Sequence, residues 1–280
     1  MKTAFATVIY KQAHAYLQDY VKSVDNQTDR DFTLLIINDN YTKAELAEIE
    51  KEIVANTRGI SIQIIDLYDK HLSIAETRIE MIRQAKRLKV DLLIMGDADD
   101  TFSKDRVASY KKTYELDKQS VFFYNKLVTD KGDEVFKTIP TSTTDVKAIS
   151  QGNYIGLSTS GIRMNKITEE FLDSLAEGDT PVFDWYLFSR ILADIGSGSL
   201  VPDAYTIYRI YDANMAGTGR DLKKEYDIKT IHYNNLAKRY DYFKYLANKL
   251  KELNLASLKL QSVHQGYWWS DIQMEDDYEI

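Results

Sequence analysis

An apolar run, Val90-Asp91-Leu92-Leu93-Ile94-Met95, stops at Gly96 and is followed at once by Asp97, Ala98, Asp99, Asp100 and Thr101. Two carboxylates one residue apart on an extended chain reach the same side. There they can hold a divalent cation, or one can hold the metal and the other a hydroxyl. An acidic surface turn would use the same residues, since Asp is common in turns. Position favours the chemical reading: a short continuous apolar run is a buried strand, and open α/β sheets place ligands at the carboxyl ends of their strands.

A second acid occupies an equivalent place. Phe32 to Ile37 is another continuous apolar strand, and it ends in Asn38-Asp39-Asn40. Further on, Pro181 fits a helix start over Val182 to Ile195 and puts Asp184 and Trp185 in the first turn. Arg209 falls in a strand expected over Tyr205 to Ile210. Other chemistries lack their residues. The chain has no Cys, and its four His (His14, His71, His232, His264) show no metal-ligand pairing. No glycine-rich dinucleotide fingerprint, Walker loop or Gly-x-Ser-x-Gly elbow occurs.

The elements that must hold these acids alternate. Ala4 to Tyr10 reads as a strand, Ala13 to Asn26 as an amphipathic helix, and Phe32 to Ile37 as the second strand. Thr42 with Glu45 forms a capping box for a helix that Gly59 closes. Ser61 to Leu67 is a third strand. Ser73 to Leu88 is a helix with Ile74, Ile79, Ile82 and Ala85 inward, and the Asp97 strand follows. This alternation implies a mostly parallel sheet with helices on both faces, a Rossmann-like α/β fold. Acids at two strand ends can then share one cleft.

Beyond Thr101 the pattern loosens. A helix starts at Ser103 or Asp105, and Val121 to Tyr124 and Glu134 to Ile139 read as a hairpin about Asp130-Lys131-Gly132-Asp133. Thr141 to Thr144 reads as a polar loop. Gly156 to Gly161 is too small and polar for an ordinary core strand, and Leu222 to Leu253 reads as two helices. The expected divisions are 1–101, 102–219 as the second half of the same domain, and a helical appendage over 220–280.

The net charge of −7 argues against broad nucleic-acid binding. The absence of Cys and of any apolar run near the ~20 residues of a membrane span points to a cytoplasmic protein. Trp268-Trp269 and the Tyr/Lys-rich helices suit packing or an oligomer contact, with docking at the inner membrane face or binding of a lipid-linked acceptor as the alternatives.

Taken together, the residues resemble family-two glycosyltransferases of the GT-A fold. Ser23-Val24-Asp25-Asn26-Gln27-Thr28, then Asp31-Phe32 and a strand ending at Asp39, is similar to that family's Ser-Val-x-Asn-Gln-Thr segment and acid-ended second strand. Arg78 stands where the family has a helical Arg, and Asp97-Ala98-Asp99-Asp100 matches its Asp-x-Asp-Asp. Asn38, Ile79 and Met81 depart from the pattern.

The resemblance implies an inverting transfer of a sugar from a nucleotide-diphosphate sugar, a UDP-sugar foremost, to a hydroxyl of a glycan or lipid-linked glycan. It implies Mn²⁺ or Mg²⁺ held by Asp99, with Asp97 near the ribose or the metal. Asp39 would meet the base, Arg78 the base or phosphates, Arg209 the diphosphate, and Asp184 would be the general base. Residues 1–101 would be the nucleotide-sugar half and 102–219 the acceptor half.

Two rivals remain at this level. Asp97-Ala98-Asp99-Asp100-Thr101 also fits the Asp-x-Asp-x-Thr of haloacid-dehalogenase-type phosphatases, with Asp97 as nucleophile. A non-catalytic nucleotide- or carbohydrate-binding protein could use the same fold.

Overall fold

The computed structural model describes residues 1–178, 180–209, 221–254 and 266–278. The parallel half is β1 (Thr3–Ile9), α1 (Leu17–Asp25), β2 (Thr33–Asn38), α2 (Lys43–Asn56), β3 (Ser61–Asp66), α3 (Ile74–Arg87) and β4 (Leu92–Met95). Residues Leu34, Leu35, Leu92, Leu93 and Ile94 are fully buried, as expected of strands covered on both faces. The expected capping box of Thr42 with Glu45 forms, and a second joins Ser73 with Glu76. The first helix differs from expectation at its start, where Lys11–Tyr16 winds as a 3₁₀ turn before α1. Ile74 does not turn inward; it is 63% exposed.

The second half comprises β5 (Thr101–Phe102), α4 (Arg106–Leu116), β6 (Phe122–Thr129), β7 (Ser142–Thr143), α5 (Lys147–Ser150), β8 (Ser160–Arg163), α6 (Glu169–Leu175), α7 (Phe183–Asp194), β9 (Gly198–Tyr208), α8 (Leu222–Ala237) and α9 (Asp241–Glu252). The sheet runs β3-β2-β1-β4-β8-β6-β9-β5, with β7 added beside β9. β1 to β4 are mutually parallel where they pair, β8 is antiparallel to both its neighbours, and β6 and β9 are parallel.

Three local expectations are corrected. Glu134 to Ile139 forms no strand; only Glu134 bridges, to Val128, because β6 pairs along its length with β8 and β9. The loop expected over Thr141 to Thr144 contains the short strand β7. The Gly- and Ser-rich stretch supplies β8, buried at every position in the middle of the sheet. Its small residues are what the packing demands. A Cβ on Gly161 would lie 2.9 Å from the Leu93 carbonyl and 2.9 Å from the Tyr110 ring. The neighbouring ring fills the volume that β8 leaves, to interior density.

Helices cover both sheet faces around two apolar clusters, one shared by α3, α6, α7, α8 and α9, the other by α1, α2 and α4. α8 docks through His232, whose ring stacks on Trp185 of α7 at 3.9 Å and 16°. No helix among the described residues is long and apolar enough to cross a membrane.

Candidate active site

The carboxyl ends of β2 and β4 lie on one sheet edge with the start of β8 and the end of β9. A cleft of about 510 Å³ opens there. Asp39, Arg78, Asp97, Asp99 and Asp184 all line it. Residues from three strand–helix units and from α7 therefore converge on one volume.

Asp39 follows β2 and accepts a hydrogen bond from the Thr77 hydroxyl of α3 at 3.3 Å. Burial raises its carboxyl, against that bond. Asn38, one residue earlier, is buried and closes the turn. Its amide donates to the Tyr41 carbonyl and to Asp66, each at 2.8 Å, and its oxygen accepts the Tyr41 N–H. An Asn supplies both the donor and the acceptor this turn needs, which a carboxylate cannot. Arg78 reaches from the first turns of α3 to Asp97 at 3.3 Å.

At the end of β4 the three acids divide. The Asp97 N–H donates to the Ser158 hydroxyl at 3.1 Å. Burial raises its carboxyl to about 6 against the pull of Arg78, with Asp99 and Asp184 pushing the same way as burial. Asp100 turns inward, 2% exposed, and accepts the Arg209 backbone N–H at 3.2 Å. Burial, with Asp99 and Asp97 nearby, holds Asp100 well above the ordinary carboxylate range. Asp99 remains on the cleft wall.

Beneath them lies a residue the sequence did not single out. Arg106 is fully buried and donates to the carbonyls of Met95 and Ser158, at 2.8 and 2.7 Å. It ties the end of β4 to the loop before β8 and places a cation under the acids. Its guanidinium lies 4.3 Å from the Phe102 ring centre. Gln27 is a second strut. Its amide donates to Ser23 and Ser103 and accepts the Val107 N–H, so the Asn26-Gln27-Thr28 segment fastens α1 to the start of α4.

Asp184 sits in the first turn of α7. Its carboxylate accepts the Trp185 N–H at 2.9 Å, and burial raises it against the field of Arg78 and its backbone hydrogen bonds. A carboxylate displaced upward and facing a cleft is better matched to taking a proton. Arg209 is placed differently from the other candidates. It does not line this cleft. Its guanidinium donates to the Asp99 carbonyl at 3.1 Å and to Asp19 at 2.9 Å, and lies 4.5 Å from the Tyr16 ring centre. Of the four His, His14 meets the Tyr41 hydroxyl, His71 ends a 3₁₀ turn, His232 is in the core, and His264 lies outside the described residues.

Trp268 and Trp269, which the sequence favours as packing residues over acceptor or membrane contact, both line the cleft. The doubled Trp in a tail was the available signal, but nothing local tells which surface the tail returns to.

Among the described residues no three His, Asp or Glu side chains converge as a self-sufficient metal site. A Mg²⁺ or Mn²⁺ ion bound together with a diphosphate needs only one or two protein carboxylates, the other oxygens being phosphate and water. Asp97 and Asp99, close enough for Asp99 to add to the burial that raises Asp97, fit an ion of that kind.

The family model described as glycosyl transferase family 2 matches residues 6–163, more than half of the chain. The chain belongs to glycosyl transferase family 2. No curated protein sequence matches it. Among solved structures it is similar to S. aureus TarS 1-349 in complex with UDP-GlcNAc, at 13% identity and TM-score 0.60, covering 89% of this chain and 72% of that one. It is similar to the mannosyltransferase PcManGT from Pyrobaculum calidifontis in complex with GDP-Man and Mn²⁺, at 10% identity and TM-score 0.56, over 85% of this chain and 65% of that one. It is also similar to GalNAc-T7 with UDP, GalNAc and Mn²⁺, at 14% identity and TM-score 0.58, over 89% of this chain and half of that one. At these identities the likeness is one of fold, the GT-A fold. Family membership removes the phosphatase reading of Asp97.

Proposed function

We propose that the cleft transfers a sugar from a nucleotide-diphosphate sugar, a UDP-sugar foremost, to a hydroxyl of a glycan or lipid-linked glycan, with inversion at the anomeric carbon. The observation that carries this reading is the convergence of Asp39, Arg78, Asp97, Asp99 and Asp184 on one cleft. The ends of β2 and β4 are separated by β1 alone, about 10 Å at ordinary strand spacing. That span suits a base at Asp39 and a diphosphate at Asp99.

Asp39 accepts the imide N–H of the base. Arg78 spreads its donors between Asp97 and the donor's oxygens. Asp99, with Asp97 beside it, would hold a Mn²⁺ or Mg²⁺ ion bound with the diphosphate. When bound, the ion offsets the negative charge that gathers on the leaving oxygen.

On the other side, the acceptor hydroxyl attacks the anomeric carbon as its bond to the phosphate oxygen breaks. The hydroxyl proton passes to Asp184, and the nucleoside diphosphate leaves. Attack opposite the leaving group inverts the centre. The neighbours that carry UDP-GlcNAc and GDP-Man support the donor class, and those with Mn²⁺ support the ion.

Incubation with UDP-, GDP- and dTDP-sugars in Mn²⁺ tests the proposal. Release of nucleoside diphosphate from one of the panel is expected, with an inverted anomer in the product by NMR. Phosphate release from a phosphomonoester with no diphosphate release would reject it.

A further inference from the structure

The tail residues Trp268 and Trp269 are held at the cleft by hydrogen bonds at Trp268 and after the pair. The backbone of Trp268 pairs with Asn153 in both directions, at 2.8 and 2.9 Å. Glu225 and Lys229 of α8, both almost fully buried and 3.3 Å apart, grip the segment that follows. The Glu225 carboxylate accepts the N–H groups of Asp271 and Ile272, and the Lys229 ammonium donates to the carbonyls of Gln151 and Ile272.

Two further features aim the rings. Trp269 has φ +57, a left-handed conformation that costs a non-Gly residue about 1 kcal/mol or more. Extended backbone would send successive side chains to opposite sides; with this twist both residues line the same cleft. Gly156 opens the space. A Cβ there would lie 2.9 Å from Trp268 Cη2 and 3.7 Å from Asp184 Oδ2, so ring and carboxylate both pack beside Gly156. Phe136 and Tyr208 brace Trp268, the first at 5.0 Å and 84°.

We propose that Trp268 and Trp269 form the acceptor platform, a stacking surface that selects a sugar ring and presents its hydroxyl to Asp184. This rests on the sugar-transfer reading above. The topology supports the side: Asp39 and Asp99 follow β2 and β4, whereas the Trp pair lies beyond β8, beside the end of β9. The chemistry supports the class. The axial C–H bonds of a pyranose present a positive edge to the negative face of an indole, while its hydroxyls remain free for polar partners. Among the described lining residues on this side Asp184 carries the charge, and the Lys224 ammonium lies 5.8 Å from the Trp269 ring centre.

Saturation-transfer NMR with methyl glycosides of glucose, galactose, mannose and N-acetylglucosamine, at tens of millimolar, tests the proposal on the full chain. Saturation concentrated on one ring face of at least one glycoside is expected. Its affinity should fall about tenfold in Trp268→Ala and in Trp269→Ala and recover in part in Trp268→Phe, while calorimetric UDP–Mn²⁺ affinity stays within about twofold. A melting curve shows which variants fold, so either Ala variant alone can decide. No face-selective saturation in the wild type, or an unchanged glycoside affinity in a folded Ala variant, overturns the platform. Loss of UDP–Mn²⁺ affinity in a folded Ala variant moves the pair to the donor side and also overturns it. Absence of UDP, GDP and dTDP binding in the wild type is a separate result, which rejects the transfer reading and the acceptor assignment with it.

Discussion

At the scale of single residues, the acids of this cleft share a composition but not a role. Asp100 is turned inward onto the Arg209 N–H, Asp97 is engaged by Arg78, and Asp99 stays on the wall. Asp184 approaches from another helix, with its carboxyl raised by burial. Substitution separates these groups experimentally. Asp184→Asn keeps the shape and the Trp185 contact but cannot take a proton. Transfer should fall by about 10²–10⁴-fold, with nucleotide-sugar affinity within about twofold of wild type. Transfer at the wild-type rate would reject Asp184 as the base, and a cleft that binds but never transfers in the wild type would favour a binding protein. Asp39, Asp97 and Asp99 were legible because each closes a buried apolar run, a pattern that strand burial alone predicts. Arg106 was not, because a lone Arg at a helix start reads as surface until its burial is known.

Among elements, the parallel half was read from its period and one capping box, and it formed as expected apart from the 3₁₀ turn before α1 and the outward Ile74. β8 was not, because its residues are chosen by a neighbour rather than by strand propensity. The ring of Tyr110 needs the space above Gly161, and tertiary packing overrides local preference. α8 carries another such inversion. His232 is polar, yet it is 1% exposed, stacked on Trp185, with both ring nitrogens unpartnered. Burial, with Lys229 adding to it, lowers its pKa from 6.5 to about 3. Between those values the unfolded chain binds a proton that the folded one refuses. The stability contributed by this site is therefore complete above pH 6.5 and falls as pH drops toward 3, by about 1.4 kcal/mol per pH unit. His232→Phe keeps a stacking ring and removes the titration. Denaturant melts should show the variant gaining on wild type progressively below pH 6; a constant difference from pH 7 to 4.5 would contradict the assignment.

For the whole molecule, the tail and α8 belong to the site's construction. Residues more than a hundred positions apart, Gln151 and Ile272, meet on one buried ammonium. Such a return of the chain leaves no local pattern, so the place of Trp268 and Trp269 could not be read from sequence. Lys229 is fully buried, and burial lowers its pKa to about 8 against the pull of Glu225. Lys229→Met leaves the Glu225 carboxylate and two carbonyls without their cation. Stability should drop by about 3–5 kcal/mol, read from denaturant midpoints, with tryptophan emission shifting red as the tail loosens. A midpoint unchanged within error would mean that the tail is held by other contacts.

The central claim is that the acidic end of β4 binds a diphosphate through a divalent ion. Calorimetry with UDP-, GDP- and dTDP-sugars, with and without Mn²⁺, on the wild type and on Asp99→Asn tests it most directly. One of these donors is expected to bind only when Mn²⁺ is present, and Asp99→Asn to weaken that binding at least about tenfold. Binding that ignores both the ion and the substitution, or no binding by any of the three, would contradict it.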